Sequence, residues 1–230
     1  MVNATRELPA STVIDARPVT APVFLVPATS AYSRWLKRPL DVVLALVVIT
    51  VFSPVLVAIA IAIPLMLGPG GVLYRQERLG RNGQPFMIYK FRSMLRDRRV
   101  AHSPNYIGPE RRMTHKSSHD PRHRPFGRFL RATSLDELPQ LINILRGEMS
   151  LVGPRPEITS VAQREGFAHH PRHLVRPGLT GRFQISPLRS ANRIAAGLHL
   201  DIDYVVDVTF WSDLKILVRT VMIPFMRRGS

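Results

Sequence analysis

The 230-residue chain contains no cysteine. That excludes a disulfide framework, a thiolate nucleophile and cysteine-ligated metal centres, and it fits a reducing, cytoplasmic setting. Acidic residues are scarce. Sixteen Asp and Glu face 32 Lys and Arg, a formal net charge of +16. Such a balance implies an anionic partner: nucleic acid, anionic lipid or a phosphorylated substrate. No nucleic-acid-binding motif accompanies the charge, so no nucleic-acid partner is expected. A charged start leading into an uninterrupted apolar core is also missing, which argues against a cleavable signal peptide. Residues 1–33 instead carry Pro9, Pro18, Pro22 and Pro27 among small and β-branched residues. They read as a disordered extension with a short sticky piece around Val23–Val26, followed by one domain's worth of chain.

The positive charge is unevenly placed. Between Lys90 and Arg131 there are 12 Lys and Arg against 3 Asp and Glu. Residues 95–125 form a long basic loop suited to lipid phosphates. His102, His115, His119 and His123 fall within it, but Pro121 prevents His119 and His123 from sharing a helical face, and no compact carboxylate set completes a metal site. A solvated loop is the reading adopted.

From Leu40 to Leu67 the chain is apolar for 28 residues, with Asp41 the only charge. That exceeds the ~20 residues a spanning helix requires. Two features favour re-entry over spanning. Ser53-Pro54 interrupts the middle of the run, where proline removes a helical hydrogen bond. Arg34, Lys37 and Arg38 precede the run and Arg75, Arg78 and Arg81 follow it, and positive charge marks the cytoplasmic side. A helix that enters, breaks at Ser53-Pro54 and returns to the same face over residues 34–70 satisfies both; a plain spanning helix is the alternative. The Ser53 hydroxyl is placed to satisfy backbone freed by the break, and Tyr32 and Trp35 suit the interface.

Beyond it, residues 71–230 read as a small catalytic domain of mixed α/β (α+β) class, mainly helical. Val72–Gln76 and Pro85–Phe91 are strand-like around the Asn82-Gly83 turn signal, a β-hairpin. Alternation places Lys90 and Arg92 on one strand face, where they would clamp a phosphate; an ordinary solvated face is the alternative.

The chain turns on Arg131–Glu157. Leu138, Leu141, Ile142 and Leu145 recur at helical spacing, and Gly147 follows as a left-handed cap. Ser134 and Glu137 match a capping box, the bland reading. Starting the helix at Asp136 instead puts Pro139 in the first turn and both adjacent carboxylates, Asp136 and Glu137, at the positive end of the helix dipole. Arg131 lies five residues before Asp136. Arg155, between Pro154 and Pro156, is presented on a stiff extended loop as a preorganised anion donor. Together these suggest phosphate handled by a carboxylate and a metal.

In the last third, Arg176–Gln184 is a glycine-bearing turn but not a Walker loop, since the lysine and spacing are absent. Asp201, Asp203 and Asp207 lack the glycine and closing glutamate of a calcium loop and read as solvated helix acids. Phe210–Met226 mixes apolar residues with Lys215 and Arg219, as an amphipathic helix in the membrane interface would, with a buried core helix as competitor.

The chain resembles the bacterial sugar transferase family, the monotopic polyprenyl-phosphate phosphoglycosyl transferases. The resemblance runs from about Arg34 to the C-terminus. It is carried by Lys37-Arg38-Pro39-Leu40-Asp41, Tyr74–Gly80, Lys90–Met94, Ser134–Gln140, Gly153–Pro156 and Arg176–Gly181 in that order. It implies transfer of a sugar-1-phosphate from a UDP-sugar to undecaprenyl phosphate at the cytoplasmic face of the bacterial inner membrane, giving undecaprenyl-diphosphate sugar and UMP. By the same resemblance Asp136 is the nucleophile that forms a covalent phosphosugar, and Glu137, with Asp136, holds Mg²⁺. Arg131 and Arg155 bind phosphate, and Lys90 and Arg92 match less firmly assigned basic positions. Arg182-Phe183 departs from the small apolar pair commoner after Gly181. Without the multi-helix region of longer relatives, the chain is expected among the minimal members. The sugar, the pathway and any homo-oligomer are left open. The rivals are a glycosyltransferase that releases a nucleoside diphosphate and a non-catalytic protein of the membrane surface.

Overall fold

An apolar backbone away from water must satisfy its own polar groups, and helix is the local way to do so. Lys37–Leu67 forms one 31-residue helix, α1, preceded by a π-helical turn over Tyr32–Leu36. The computed structural model describes residues 29–95, 124–190 and 197–226; residues 1–28, the four histidines named above and most of the basic loop lie outside them. The expected break at Ser53-Pro54 does not interrupt α1, which continues through both Pro54 and Pro64. The reason is local. Pro54 deprives only the Thr50 carbonyl of its helical donor, and Ser53 Oγ donates to that carbonyl at 2.8 Å.

The lone acid of the run faces the protein. Asp41 is buried and accepts from Ser150 Oγ at 2.7 Å and Leu151 N at 3.0 Å. Arg38 donates to the Ile144 and Leu145 carbonyls at 2.5 and 3.1 Å, capping the C-terminal end of α3 (Gln140–Arg146).

After α1 the chain forms the expected hairpin. Strand β1 (Leu73–Leu79) pairs antiparallel with β2 (Pro85–Phe91), from Leu73 opposite Phe91 to Leu79 opposite Pro85. Asn82 (φ 56°) and Gly83 (φ 73°) supply the left-handed turn. Helix α2 (Pro125–Ala132) leads into α3, and a second two-stranded sheet follows. In it β3 (Ser150–Val152) runs parallel to β4 (Gly178–Thr180). The glycines of the Arg176–Gln184 turn serve close approach. A Cβ at Gly178 would lie 2.1 Å from Gly153 N, and one at Gly181 2.2 Å from Gly153 O. Short helices α4 (Thr159–Arg164) and α5 (Arg182–Ile185) complete the middle of the chain. Helices α6 (Leu198–Val206) and α7 (Phe210–Met226) end the described chain. The fold is thus mixed and mostly helical, as expected.

Three apolar clusters hold these elements, one of them packing Val161, Ala162 and Phe167 on Leu79 and the other two built on α1. Ala45 of α1 joins Ile88, Leu141, Ile144, Val152 and Tyr204. Farther along α1, Ile59, Ile63 and Leu67 pack on Phe91 and Leu130. Between these two contacts, Thr50 to Val55 are all exposed.

Helix α7 buries Asp213 and Ile216 but exposes Trp211, Val218, Val221 and Met222, so it is not a buried core helix. Asp213 accepts from Tyr32 Oη at 2.7 Å, Lys37 Nζ at 2.5 Å and Tyr204 Oη at 2.8 Å. Ser30 Oγ donates to Val208 O at 2.9 Å. Residues 30–33, counted above with the extension, therefore belong to the folded body. Asp201 also departs from expectation: it is 3% exposed and pairs with buried Arg172 at 2.8 Å.

Candidate active site

The carboxylate pair sits where helix formation is locally blocked. Pro139 has no N–H to return to the Leu135 carbonyl, so the chain makes a separate 3₁₀ turn over Leu135–Glu137 and α3 begins only at Gln140. The helix therefore starts four residues later than the sequence suggests. Ser134 is left-handed (φ 58°, ψ 16°) and makes no side-chain cap, which removes the capping-box reading. A non-glycine residue there costs on the order of 1–2 kcal/mol, strain placed two residues before Asp136.

The turn presents its two acids differently. Asp136 is buried, whereas Glu137 reaches a cleft lined by Arg78, Lys90, Gln140, Arg155 and Leu179. Lys90, near the end of β2, donates to Glu137 Oε1 at 2.6 Å. Arg155 Nη2 stands 3.8 Å from the same oxygen. Arg131 lies in the last turn of α2 and acts electrostatically on Asp136. Burial raises the pKa of Asp136 to about 6, the neighbouring Glu137 charge adds to the rise, and Lys90 and Arg131 oppose it. Burial also lowers the pKa of Lys90, which Glu137 counteracts. Two adjacent carboxylates ringed by cations in a cleft form a site able to take a polyanion and present it to a carboxylate.

Of the six predicted site residues, Asp136, Glu137, Lys90, Arg131 and Arg155 converge here. Arg92 does not join them. Its terminal nitrogens donate to the Gly68 carbonyl at 2.6 Å and the Pro69 carbonyl at 3.0 Å, just past the end of α1. Alternation places Arg92 on the Lys90 face, but β2 ends at Phe91 and the guanidinium turns to these carbonyls.

The family model for bacterial sugar transferases matches residues 32–227. The chain belongs to the bacterial sugar transferase family. It is 38% identical over 210 residues to the UDP-glucose:undecaprenyl-phosphate glucose-1-phosphate transferase of Escherichia coli K12, covering 87% of this chain and 42% of that protein. A protein of the same name from Caulobacter vibrioides is 43% identical over 198 residues, 80% of this chain and 68% of its own length. The exopolysaccharide production protein ExoY of Rhizobium meliloti is 38% identical over 222 residues, 93% and 97% of the two chains. The chain thus spans less than half the length of the Escherichia coli relative.

Three family-domain residues that organise the site were not singled out by sequence reasoning as site residues. Asn143, fully buried in α3, accepts from Tyr89 N at 3.1 Å and donates to Met87 O at 2.7 Å, holding β2 and so Lys90 against the helix that follows Glu137. Arg78 and Arg172 donate to the loop carrying Arg155. A polar residue inside an apolar helical stripe was the available signal for Asn143. Arg78 lies in the Tyr74–Gly80 stretch that carries the family resemblance, whereas Arg172 had no such signal, because only the fold buries it.

Proposed function

We propose that this chain transfers a sugar-1-phosphate from a UDP-sugar to undecaprenyl phosphate by way of a phosphosugar carried on Asp136. The observation that supports it is the buried Asp136 beside Glu137, ringed by Lys90, Arg131 and Arg155. An Asp136 carboxylate oxygen attacks the β-phosphorus of the donor. The bond from that phosphorus to the bridging oxygen breaks, and UMP leaves with the oxygen. A phosphate oxygen of undecaprenyl phosphate then attacks the same phosphorus, restores the carboxylate and forms the lipid diphosphate sugar. Two steps allow a soluble donor and a lipid acceptor to be handled in turn. Arg131 and Arg155 bind and neutralise the donor phosphates, and Lys90 holds Glu137 in place.

Mg²⁺ fits this donor set. Among the described residues no group of three or more metal-ligating side chains occurs, but magnesium commonly takes one or two carboxylates and completes its shell with waters and substrate phosphates. Asp136 and Glu137 would hold it, and it would supply charge neutralisation at the diphosphate.

The residues from Tyr32 to Leu67 have a mean hydropathy of 3.0 in their most apolar window, long and apolar enough for a membrane. We read α1 as re-entrant from the cytoplasmic face. Both its halves pack on one hairpin-and-helix body while Thr50–Val55 between them are exposed, which keeps both ends of α1 on the same body and leaves its middle for lipid. The outward apolar face of α7 lies in the interface beside anionic lipid. The chain has no native cysteine, so Leu36→Cys and Gly71→Cys can each be labelled alone. Both react from the cytoplasmic side; opposite sidedness overturns re-entry.

The reaction is tested with protein in nanodiscs, Mg²⁺, undecaprenyl phosphate and a panel of UDP-sugars. UMP release with a particular sugar is expected. UDP release would place the protein among transferases that move the sugar alone.

A further inference from the structure

The loop that carries Arg155 is held almost entirely through its carbonyls. Two of the four residues from Pro154 to Glu157 are prolines, with no N–H to anchor them. Each of the four carbonyls instead receives a donor from elsewhere. Gly178 N reaches Pro154 O at 2.8 Å, and Leu79 N reaches Glu157 O at 2.8 Å. Between these two backbone bonds, Arg172 Nη2 donates to Arg155 O at 2.8 Å and Arg78 Nη1 to Pro156 O at 3.0 Å. Both arginines are buried, at 2% and 8% exposure. Arg172 Nη2 is also 2.8 Å from Asp201 Oδ2 of α6, so the carboxylate and the loop carbonyl share one nitrogen.

Burying a guanidinium costs several kcal/mol before its partners offset it. A neutral donor would satisfy a single carbonyl at far less cost. What the planar cation adds is direction: Arg78 bonds Pro156 O and Gln76 Oε1 through its two terminal nitrogens, and Arg172 Nη2 serves the loop carbonyl and Asp201 from one rigid plane, its Nε and Nη1 having no hydrogen-bond partner among the described residues. Arg155 needs such fixing. Its side chain is about one-third exposed and reaches across the cleft to Glu137, and a phosphate clamp displaced by ~1 Å loses on the order of 10²-fold in rate.

We propose that Arg78 and Arg172, the latter held by Asp201, are positioning residues that fix the backbone at Arg155 so that its guanidinium meets the donor diphosphate. The proposal rests on the transfer reading above for the identity of the donor. It does not place either arginine in contact with substrate.

The test is a double-mutant cycle on the full chain in nanodiscs with Mg²⁺, reading UDP affinity by calorimetry and, separately, UMP release from the UDP-sugar that is turned over. Arg155→Ala weakens UDP by roughly 10–100-fold, the loss of one charged hydrogen-bonding group. Arg172→Lys and Arg78→Lys keep the charge but lose the fork, and each weakens UDP by about 5–10-fold on the same reasoning. In the Arg155→Ala background neither adds a further loss, since the group they position is gone. Losses that multiply in that background overturn the proposal, because they show action independent of Arg155. Asp201→Asn keeps an acceptor for Arg172 and provides the same cycle if Arg172→Lys does not fold. UDP binding needs no turnover, so a wild-type protein that binds UDP without releasing UMP fails the transfer reading alone. A wild-type protein that does not bind UDP fails both.

Discussion

Asp136→Asn lowers turnover by on the order of 10⁴-fold or more, as removal of an attacking group does, and at the same time makes the protein more stable at neutral pH. The two effects share one cause. Burial and the adjacent Glu137 raise the Asp136 pKa from 3.8 to about 6. The folded protein therefore binds a proton more tightly than the unfolded chain does, and stability falls as pH rises from about 4 to about 6. Above that window the ionised carboxylate is a standing cost, on the order of 1–3 kcal/mol for a shift of this size. Asparagine is isosteric and uncharged, so it removes the cost together with the attacking group of the proposed transfer. The melting temperature of the variant should exceed that of the wild type at pH 7, and the gap should close near pH 4.5. The same ionisation governs catalysis in the opposite sense. Attack needs the carboxylate, so kcat/KM falls on the acid side with an apparent pKa near 6 that belongs to the Asp136–Glu137 pair. Activity in Asp136→Asn within tenfold of wild type would remove Asp136 from the attacking role. A variant that melts lower than wild type at pH 7 would remove the stored electrostatic cost.

Asp213→Ala destabilises the fold by about 3–5 kcal/mol, the range found when one partner of a buried ion pair is deleted. Lys37 would lose its partner in a largely buried setting, and the Tyr32 and Tyr204 hydroxyls would each lose an acceptor. Three elements meet at this carboxylate: the start of α1, α6 and α7. Thermal melting in detergent reads the loss. Limited proteolysis should show cleavage first near residues 30–36, since the Tyr32 and Lys37 bonds to Asp213 that hold this segment are lost. Asp213→Asn keeps an acceptor without the charge and should fall between the two. An alanine variant that melts within 2 °C of the wild type would mean that the carboxylate is not what joins these elements.

Local chemistry carried much of this molecule into view. The hairpin rests on Asn82-Gly83. The end of α3 rests on Gly147, which is left-handed at φ 84°. The Ser53 hydroxyl does satisfy the carbonyl that Pro54 leaves without a donor. Each depends on residues within four positions of one another, where φ preference and hydrogen-bond inventory decide the outcome. Local pattern fails where a second segment competes. Alternation pairs Arg92 with Lys90, but the carbonyls just past α1, 23 and 24 residues away, are its acceptors. Spacing marks Asp201 as a solvated acid, but its partner Arg172 is brought to it only by folding.

By itself, then, the sequence determined which residues are candidates for the chemistry, Asp136, Glu137, Arg131 and Arg155, and that a long apolar helix precedes them. Residue type and short-range order are sufficient for that. Only the tertiary structure decided how those groups are charged and aimed. Lys90 meets Glu137 across 47 residues, and Lys37 meets Asp213 across 176. The burial that raises the Asp136 pKa exists only when hairpin, α2 and α3 are packed together. Desolvation and ion pairing act through space, and no spacing along the chain encodes them.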